Sequence, residues 1–211
     1  MTLRDRKRAK TRQALVEAAA ELFERQGYNE TTVAQIAAAA DIGTRTFFSY
    51  FATKEDLLFP ESDDRVRVAV DWIKHHGEIG PAEVLLNALR QVGDDSDDLA
   101  GRLAALRLRL IQTIPAVQGR ALQMQLDAQR QIARHLAEAY PDQLDEVGAA
   151  ALTGAFVGAV TGALQVVLEQ SGAGDDPAAV QRAVEIAVDR ALAPWFREDT
   201  SLLRQPVRPQ A

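Results

Sequence analysis

The sequence predicts an all-α protein built from a small helix-turn-helix domain and a larger helical domain, with about nine helices in total. Apolar residues recur at helical spacing nearly throughout the chain. Alanine and leucine dominate the composition and aromatic residues are only 6% of it, which also favours helix. The 211 residues leave room for one small and one larger domain.

The first three predicted helices are short and close together. Six apolar residues form one stripe on the first helix: Ala14, Leu15, Ala18, Ala19, Leu22 and Phe23. Gly27 lies where a helix C-terminal glycine is expected. The pair Thr32 and Gln35 fits a capping box that opens a second helix over 33–40. After a tight break at 41–43, a third helix is predicted over 44–51.

Six further helices follow in the predicted order. Thr53 with Asp56 predicts the cap of a fourth helix, and Pro60 either ends that turn or opens its continuation through Trp72 towards Gly77. Proline and glycine then delimit the remaining helices, predicted at 81–93, 99–113, 116–140, 144–170 and 177–197, with an interruption at Pro194. The predicted division is 1–55, 56–200 and a frayed tail at 201–211.

Charge is distributed unevenly along the chain. The net charge is −6, yet the first 54 residues carry nine Lys or Arg against six acids, so the excess of acid lies in the remainder. A basic segment on an acidic body is expected where one part approaches phosphates, although a solvated helix face gives the same pattern. The absence of cysteine excludes disulfides and thiolate metal sites and, with no apolar stretch behind the basic N-terminus, predicts a cytoplasmic protein.

The second and third helices have the residue types that a helix-turn-helix needs. Small residues at 37–40 allow the helices to cross, and Asp41 tolerates a left-handed turn. Ile42 is predicted to plug back into the core. Phe47 and Phe51, four residues apart, are predicted to face inward, which leaves the opposite side of the third helix for the major groove of DNA.

These residues also resemble a known family. The segments 31–37, 40–43 and 45–57, together with Leu22-Phe23 and Gly27-Tyr28, look like the N-terminal domain of the tetracycline-repressor (TetR) family. The resemblance implies a DNA-binding domain over 1–55 whose contacts are Thr32, Thr44, Arg45, Thr46, Phe48, Ser49, Tyr50 and Lys54.

The roles implied by the resemblance differ along this set. Tyr50 and Lys54 match phosphate contacts, with Lys54 at the N-terminus of the fourth helix. Arg45 and Thr46 match positions that reach bases, and an arginine can fork onto guanine. Two residues depart from the family pattern: Asp41 replaces a glycine, and Phe48 replaces a tyrosine and lacks its hydroxyl. The basic residues at 4–12 are predicted to precede the first helix, as either a DNA-contacting arm or a solvated tail.

The eighth predicted helix contains no charged residue from Val147 to Leu168. That length is enough to span a bilayer, but acids flank the segment and aromatic belts are missing, so a helix buried on all sides is favoured. Its glycines recur every four residues and allow a close helix approach. The TetR resemblance implies a four-helix homodimer interface, with intrachain packing as the alternative; the predicted interface residues are Gly154, Gly158, Gly162, Val180, Val184 and Ala187.

The resemblance also implies a small-molecule pocket in the larger domain. The segments around 106–111, 115, 120–122 and 136–137 look like a TetR subgroup with acyl-CoA-like ligands. Candidate ligand residues are Trp72, Arg107, Leu108, Met124, Leu126 and Phe156. A surface arginine and plain apolar core are the alternatives for these positions.

Other classes of function find less support in the sequence. The three histidines, His75, His76 and His135, lack the spacing of a metal site, and no phosphate loop or nucleophile elbow is present. A helical protein-interaction module would leave the basic segment and Lys54 unexplained. The sequence therefore predicts a non-enzymatic, cofactor-free regulator: a repressor that binds a palindromic DNA operator as a homodimer, is released by a small apolar or acyl-type effector, and has no membrane partner.

Overall fold

The all-α fold class is confirmed by a computed structural model, which describes residues 2–60, 62–93, 98–170 and 177–196. These residues form nine α-helices and two short 3-10 helices, and no strand occurs among them. The α-helices are α1 Leu3–Gln26, α2 Val33–Ala39, α3 Thr44–Phe47, α4 Ser62–His75, α5 Pro81–Gly93, α6 Asp98–Thr113, α7 Pro115–Ala139, α8 Glu146–Gln170 and α9 Pro177–Leu192. The 3-10 helices are η1 Glu55–Leu58 and η2 Ala193–Phe196. The predicted tail at 201–211 lies outside the described residues.

The chain divides into two compact units that do not follow the sequence order. The first unit is Met1–Ser62 with Asp97–Gln123, and the second is Asp63–Ser96 with Met124–Ala211. The N-terminal unit therefore extends past the predicted boundary at residue 55 and includes all of α6 and the beginning of α7.

The core of the first unit joins the helix-turn-helix to α6. Leu15 of α1, Ile36 of α2 and Phe47 of α3 are fully buried in one apolar cluster. Leu103 and Leu106 of α6 belong to the same cluster. Because α2 and α3 have seven and four residues, they are too short to be stable alone and depend on this packing.

Helix α1 begins earlier than the sequence predicts. Thr2 caps it: its hydroxyl accepts from the Asp5 amide at 3.2 Å, while the Asp5 carboxylate accepts from the Thr2 amide at 2.8 Å. These hydrogen bonds hold the pKa of Asp5 below its usual value. The expectation that residues 4–12 precede the first helix is wrong, because this capping box starts the helix at Leu3.

The segment after α2 is also shorter and tighter than predicted. Helix α3 ends at Phe47, and residues 48–50 form turns. The predicted fourth helix begins as the 3-10 helix η1, and Asp56 provides the side-chain acceptor at its start. The Asp56 carboxylate accepts hydrogen bonds from the backbone amides of Ala52 and Thr53.

The core of the second unit contains residues from α4, α5, α7, α8 and α9. Ile73, Leu85, Leu136, Leu152 and Val188 are fully buried there. Helices α8 and α9 pack against each other along their lengths.

Helix α8 is not buried on all sides, which corrects the expectation from its composition. Leu152 and Phe156 face the core, whereas Val147 is 73% exposed and Val166 is 49% exposed. By length and composition alone, Glu146–Val167 could also cross a membrane, but a core helix passes the same test.

Candidate nucleic-acid interface

The turn between α2 and α3 has the backbone that the sequence predicts. Asp41 has φ of 56°, in the left-handed region. The Asp41 amide donates to the Ala38 carbonyl at 3.1 Å, and the Ile42 amide donates to the Ala37 carbonyl at 2.9 Å. Ile42 packs against the core cluster of the first unit. The chain thus reverses within three residues and places α3 across α2.

Helix α3 separates buried from exposed side chains sharply. Phe47 is fully buried, and Phe51 is 4% exposed. Phe48 is 58% exposed and lies edge-on to Phe47, with ring centroids 5.3 Å apart. The other exposed residues of this face are Thr44, Arg45, Thr46 and Ser49. The Ser49 hydroxyl donates to the Thr46 carbonyl at 2.6 Å, which leaves its lone pairs as acceptors.

Thr32 begins α2 and is exposed at that end. Its hydroxyl accepts from the Gln35 amide at 3.2 Å, and its own amide donates to Gln35 Oε1 at 2.8 Å. The predicted capping box is therefore present, and the Thr32 side chain has a structural role besides the DNA contact predicted for it.

The basic half of α1 runs beside the end of α3. The Arg8 guanidinium lies 5.4 Å from the centre of the Tyr50 ring. Arg12 donates to the carbonyls of Tyr50 and Pro60 at 3.4 and 2.6 Å and lies over the Phe51 ring. Arg12 therefore ties α1 to the segment after α3. The remaining cations of this half are exposed: Arg4, Arg6, Lys7 and Lys10.

Lys54 is engaged by the protein's own backbone. Its ammonium donates to the carbonyls of Tyr28 and Thr31 at 2.8 and 2.9 Å and lies 4.0 Å from the centre of the Tyr28 ring. Burial lowers the pKa of Lys54. Two of its three N–H donors are thus used inside the chain, so at most one donor is left for a phosphate.

Tyr28 and Glu55 complete this support. The Tyr28 hydroxyl donates to the Glu55 carboxylate. Burial and this hydrogen bond raise the pKa of Tyr28. Burial alone would raise the pKa of Glu55, but the hydrogen bonds from Tyr28, the Glu55 backbone and Thr53, together with the nearby Lys54, outweigh it and lower that pKa. Lys54 and Glu55, one cation and one anion, therefore attach the segment that follows α3 to the α1–α2 loop.

Two stretches of the chain match known families. Residues 15–59 match the family of bacterial regulatory proteins, tetR family, and residues 79–193 match the MftR C-terminal domain. The second match alone covers more than half of the chain. The chain belongs to the TetR family.

One transcriptional regulator and two solved TetR-family structures resemble the chain over larger regions. The transcriptional regulator TcmR of Streptomyces glaucescens is 34% identical over 151 residues, which are 68% of this chain and 66% of TcmR. A TetR-family regulator structure from Syntrophomonas wolfei covers 92% of this chain and 98% of its own, with a TM-score of 0.64 at 16% identity. The structure of Thermus thermophilus FadR, a TetR-family repressor in complex with lauroyl-CoA, covers 95% of this chain and 100% of its own, with a TM-score of 0.50 at 18% identity. These structures share the TetR fold.

The six residues predicted to meet a ligand lie in both compact units of this TetR protein. Arg107 and Leu108 are in the first unit, where Arg107 donates to the Leu58 carbonyl at 2.5 Å and lies over the Phe59 ring. The second unit holds the others: Trp72 and Met124 are half-buried, Leu126 is 51% exposed and Phe156 is buried. Trp72 stacks on His76 with centroids 3.6 Å apart. A groove of about 290 Å³ there is lined by Val68, Asp71, Trp72, His75, His76 and Gln91.

The residues predicted for dimerisation fall into two groups. Among the described residues, and leaving aside the adjacent backbone of α8 itself, a Cβ added to Gly154, Gly158 or Gly162 would meet no atom within 4 Å. In the part of the chain that the structure describes, no other element packs within that distance of these glycines.

The α9 residues of the predicted interface differ from the glycines. Val184 is only 6% exposed and packs in the chain's own core, which corrects its assignment to the interface; Val180 and Ala187 are half-buried. Ile186 is 54% exposed on α9, and the sequence analysis missed it because the neighbouring alanines and valines formed a more regular stripe.

Proposed function

We propose that this protein is a transcriptional repressor that acts in the cytoplasm and binds a palindromic DNA operator through α3 and the basic half of α1. One observation carries the proposal. Helix α3 exposes two threonines, Arg45 and Phe48 while its inward face is anchored by the fully buried Phe47. A rigid helix with an exposed polar face fits the major groove, where an arginine can read guanine.

The exposed cations of α1 support the same surface. Arg4, Arg6, Lys7, Arg8 and Lys10 are all exposed, and Asp5, the acid among them, is engaged by Thr2. Since Arg8 lies over Tyr50 at the end of α3, this positive charge is close to the proposed groove-reading face. Phosphate contacts of this kind supply affinity and register, while α3 supplies sequence preference.

We further propose that α8 and α9 pair with a second copy of the chain. The glycines of α8 leave a smooth uncharged face, and no described residue of another element lies within 4 Å of their Cβ positions. A twofold dimer would present two α3 helices to the two halves of a palindrome. Such a face suits a homodimer better than a lipid partner, because the buried side of α8 already belongs to the core.

The effector that we propose is a small apolar or acyl-type molecule bound in the second unit. FadR of Thermus thermophilus is a TetR repressor whose structure contains lauroyl-CoA. In the second unit of this chain, Trp72 Nε1 and Thr153 Oγ1 are buried and lack a hydrogen-bond partner among the described residues. These two polar atoms in a mostly apolar region fit a ligand with a long apolar part and an oxygen acceptor.

The first experiment is selection of bound DNA from a random pool by the purified protein. We expect a short palindrome to be enriched and its binding to weaken when Arg45 is replaced by alanine. Arg25→Ala is the matched control, since it removes an exposed cation near the other end of α1. An unenriched pool, or equal binding by Arg45→Ala and the wild type, would contradict the proposed function.

The effector is tested separately with lauroyl-CoA. We expect it to raise the melting temperature and to release the selected DNA, whereas coenzyme A alone, at the same concentration, does neither. If neither property changes with acyl-CoA of any chain length, an acyl-CoA effector is wrong, and the DNA-binding proposal is unaffected.

A further inference from the structure

We propose that Arg120 of α7 is a positioning residue for DNA binding, which acts through Asp56 on the segment that follows α3. The inference rests on the proposed function and concerns a residue far from α3 in the sequence. Neither the sequence analysis nor the resemblance to the TetR family assigns Arg120 or Asp56 any part in DNA binding.

The Asp56 carboxylate is shared between two elements. Its Oδ1 accepts from Arg120 Nε at 2.7 Å. Its Oδ2 accepts from the amides of Ala52 and Thr53 at 3.1 and 3.0 Å. One side chain therefore connects α7 to the backbone directly after Phe51, which anchors the end of the α3 turn.

Burial makes this ion pair more than a surface contact. The Arg120 side chain is 31% exposed and the Asp56 side chain 13% exposed. Arg120 also donates to Gln123 Oε1 at 3.1 Å, which fixes the plane of its guanidinium. In a partly desolvated pair, loss of one partner leaves the other charge without compensation, so the remaining side chain is expected to change its position.

The segment between α3 and α4 needs such anchors. The 3-10 helix η1 has four residues and is too short to fix its own position. Arg120 holds its beginning through Asp56, and Arg107 of α6 holds its end by donating to the Leu58 carbonyl at 2.5 Å. Two arginines that follow the DNA-reading residues by more than fifty positions thus fix the backbone that leaves the reading helix.

A direct phosphate contact by Arg120 is the alternative, and it predicts the opposite effect of one substitution. Asp56→Asn removes a negative charge and weakens the hold on Arg120. If Arg120 contacts phosphate directly, Asp56→Asn increases DNA affinity because the domain becomes more positive. If Arg120 acts by positioning, the same substitution decreases affinity despite the more favourable charge.

The experiment measures affinity for the selected palindrome at fixed salt concentration. It uses the wild type, Arg120→Gln, Arg120→Lys, Asp56→Asn and the double variant Arg120→Gln/Asp56→Asn. The control is Arg102→Gln, which removes one arginine of α6 and its ion pair with Glu24 of α1 without touching residues 52–56. Melting temperatures are recorded for all variants.

We expect Arg120→Gln and Asp56→Asn each to weaken binding about tenfold, in keeping with loss of a charge-assisted hydrogen bond. The double variant should bind DNA about as tightly as the single variant with the lower affinity, since the two substitutions remove the same contact. Arg120→Lys should recover part of the affinity, and Arg102→Gln should stay within about twofold of the wild type.

Amide hydrogen exchange in the free protein provides a second readout. The amides of Ala52 and Thr53 should exchange faster in Arg120→Gln than in Arg102→Gln at matched melting temperature. Tighter DNA binding by Asp56→Asn, or unchanged binding by Arg120→Gln with a wild-type protein that binds, would overturn this inference alone. If the wild type itself selects no DNA, the proposed function is wrong and the inference is wrong with it.

Discussion

Helices α3 and α8 both leave one face exposed, and the chemistry of the two faces is opposite. Around α3, the exposed side chains are threonine, serine, arginine and one phenylalanine, next to the cations of α1. Along α8, the exposed positions from Val147 to Val166 are mostly apolar or small, with Thr161 and Gln165 as polar exceptions, and none is charged. Water and phosphate groups interact favourably with the face around α3, whereas the mainly apolar face of α8 is poorly solvated by water. Exposure alone therefore does not identify a partner, whereas the chemistry of the exposed face favours DNA for α3 and a second copy of the chain for α8.

The two faces also differ in what holds them. Helix α8 has 25 residues and packs along α9, so its exposed face is set by the helix itself. Helix α3 has four residues and is held by Phe47, Phe51 and the contacts of Asp56. Substitutions on α8 should therefore change assembly without altering the fold, whereas substitutions near α3 can act on both stability and binding.

The largest expected effect is loss of the dimer in Gly158→Leu. Among the described residues of one chain, a Cβ at this position has open space, but the leucine would fill the face where two backbones would approach. The strain occurs twice in a symmetric dimer, so we expect a cost of about 2–6 kcal/mol to association. Sedimentation velocity should show a monomer. Gly119→Leu, also a helical glycine with open space, is the control and should stay dimeric; a dimer in Gly158→Leu would break the comparison.

The next effect separates the two sides of α3. Phe47→Ala removes a fully buried ring and should destabilise the protein by about 3–5 kcal/mol. Phe48→Ala removes a ring that is 58% exposed and should change stability by less than about 0.5 kcal/mol while weakening DNA binding. Urea unfolding measures the stability of the two variants, and DNA titration measures their affinity for DNA. Equal destabilisation by both substitutions would contradict the assignment of the two faces.

The basic half of α1 should act on affinity rather than on specificity. In the triple variant Arg6→Ala/Lys7→Ala/Arg8→Ala, each lost phosphate contact should reduce the log–log salt slope of DNA binding by about 0.9. Arg45→Ala should instead relax the preference at one position of each half-site by about 1–3 kcal/mol. Titrations at several salt concentrations test both. An unchanged slope in the triple variant would remove α1 from the DNA-binding surface.

The smallest expected effect is on the dependence of stability on pH. The pKa of Glu55 is lowered in the folded protein, so its ionised form stabilises the fold above the unfolded pKa of about 4.3. That stabilisation is lost as pH falls through the lower folded pKa. Glu55→Gln should cost about 1 kcal/mol at pH 7 and less at lower pH. Urea unfolding at several pH values measures the difference, with Glu21→Gln as an exposed control; a cost that does not decrease with acid would exclude this role.

Much of the fold was predictable because the local signals are strong. Spacing and capping preferences predict the nine helices of the described residues, the Thr32 capping box, the left-handed Asp41 and the inward Phe47 and Phe51. The start of α1 was missed because its basic first turns lack an apolar stripe, although Thr2 followed by Asp5 is a capping signal. The spacing of Thr53 and Asp56 indicates a cap, but only the structure shows that the Asp56 carboxylate is the acceptor.

The sequence by itself determined the helical class, the helix-turn-helix and the uncharged stretch of α8, because these depend on contacts between residues close in the chain. Only the tertiary structure showed that Lys54 bonds to the carbonyls of Tyr28 and Thr31, that Val184 belongs to the core, and that Arg120 reaches Asp56. Each of these facts depends on which side chains meet across 23 to 64 positions of sequence or on which face of a helix is covered. Periodicity gives the faces of a helix, but packing decides which neighbour covers each face.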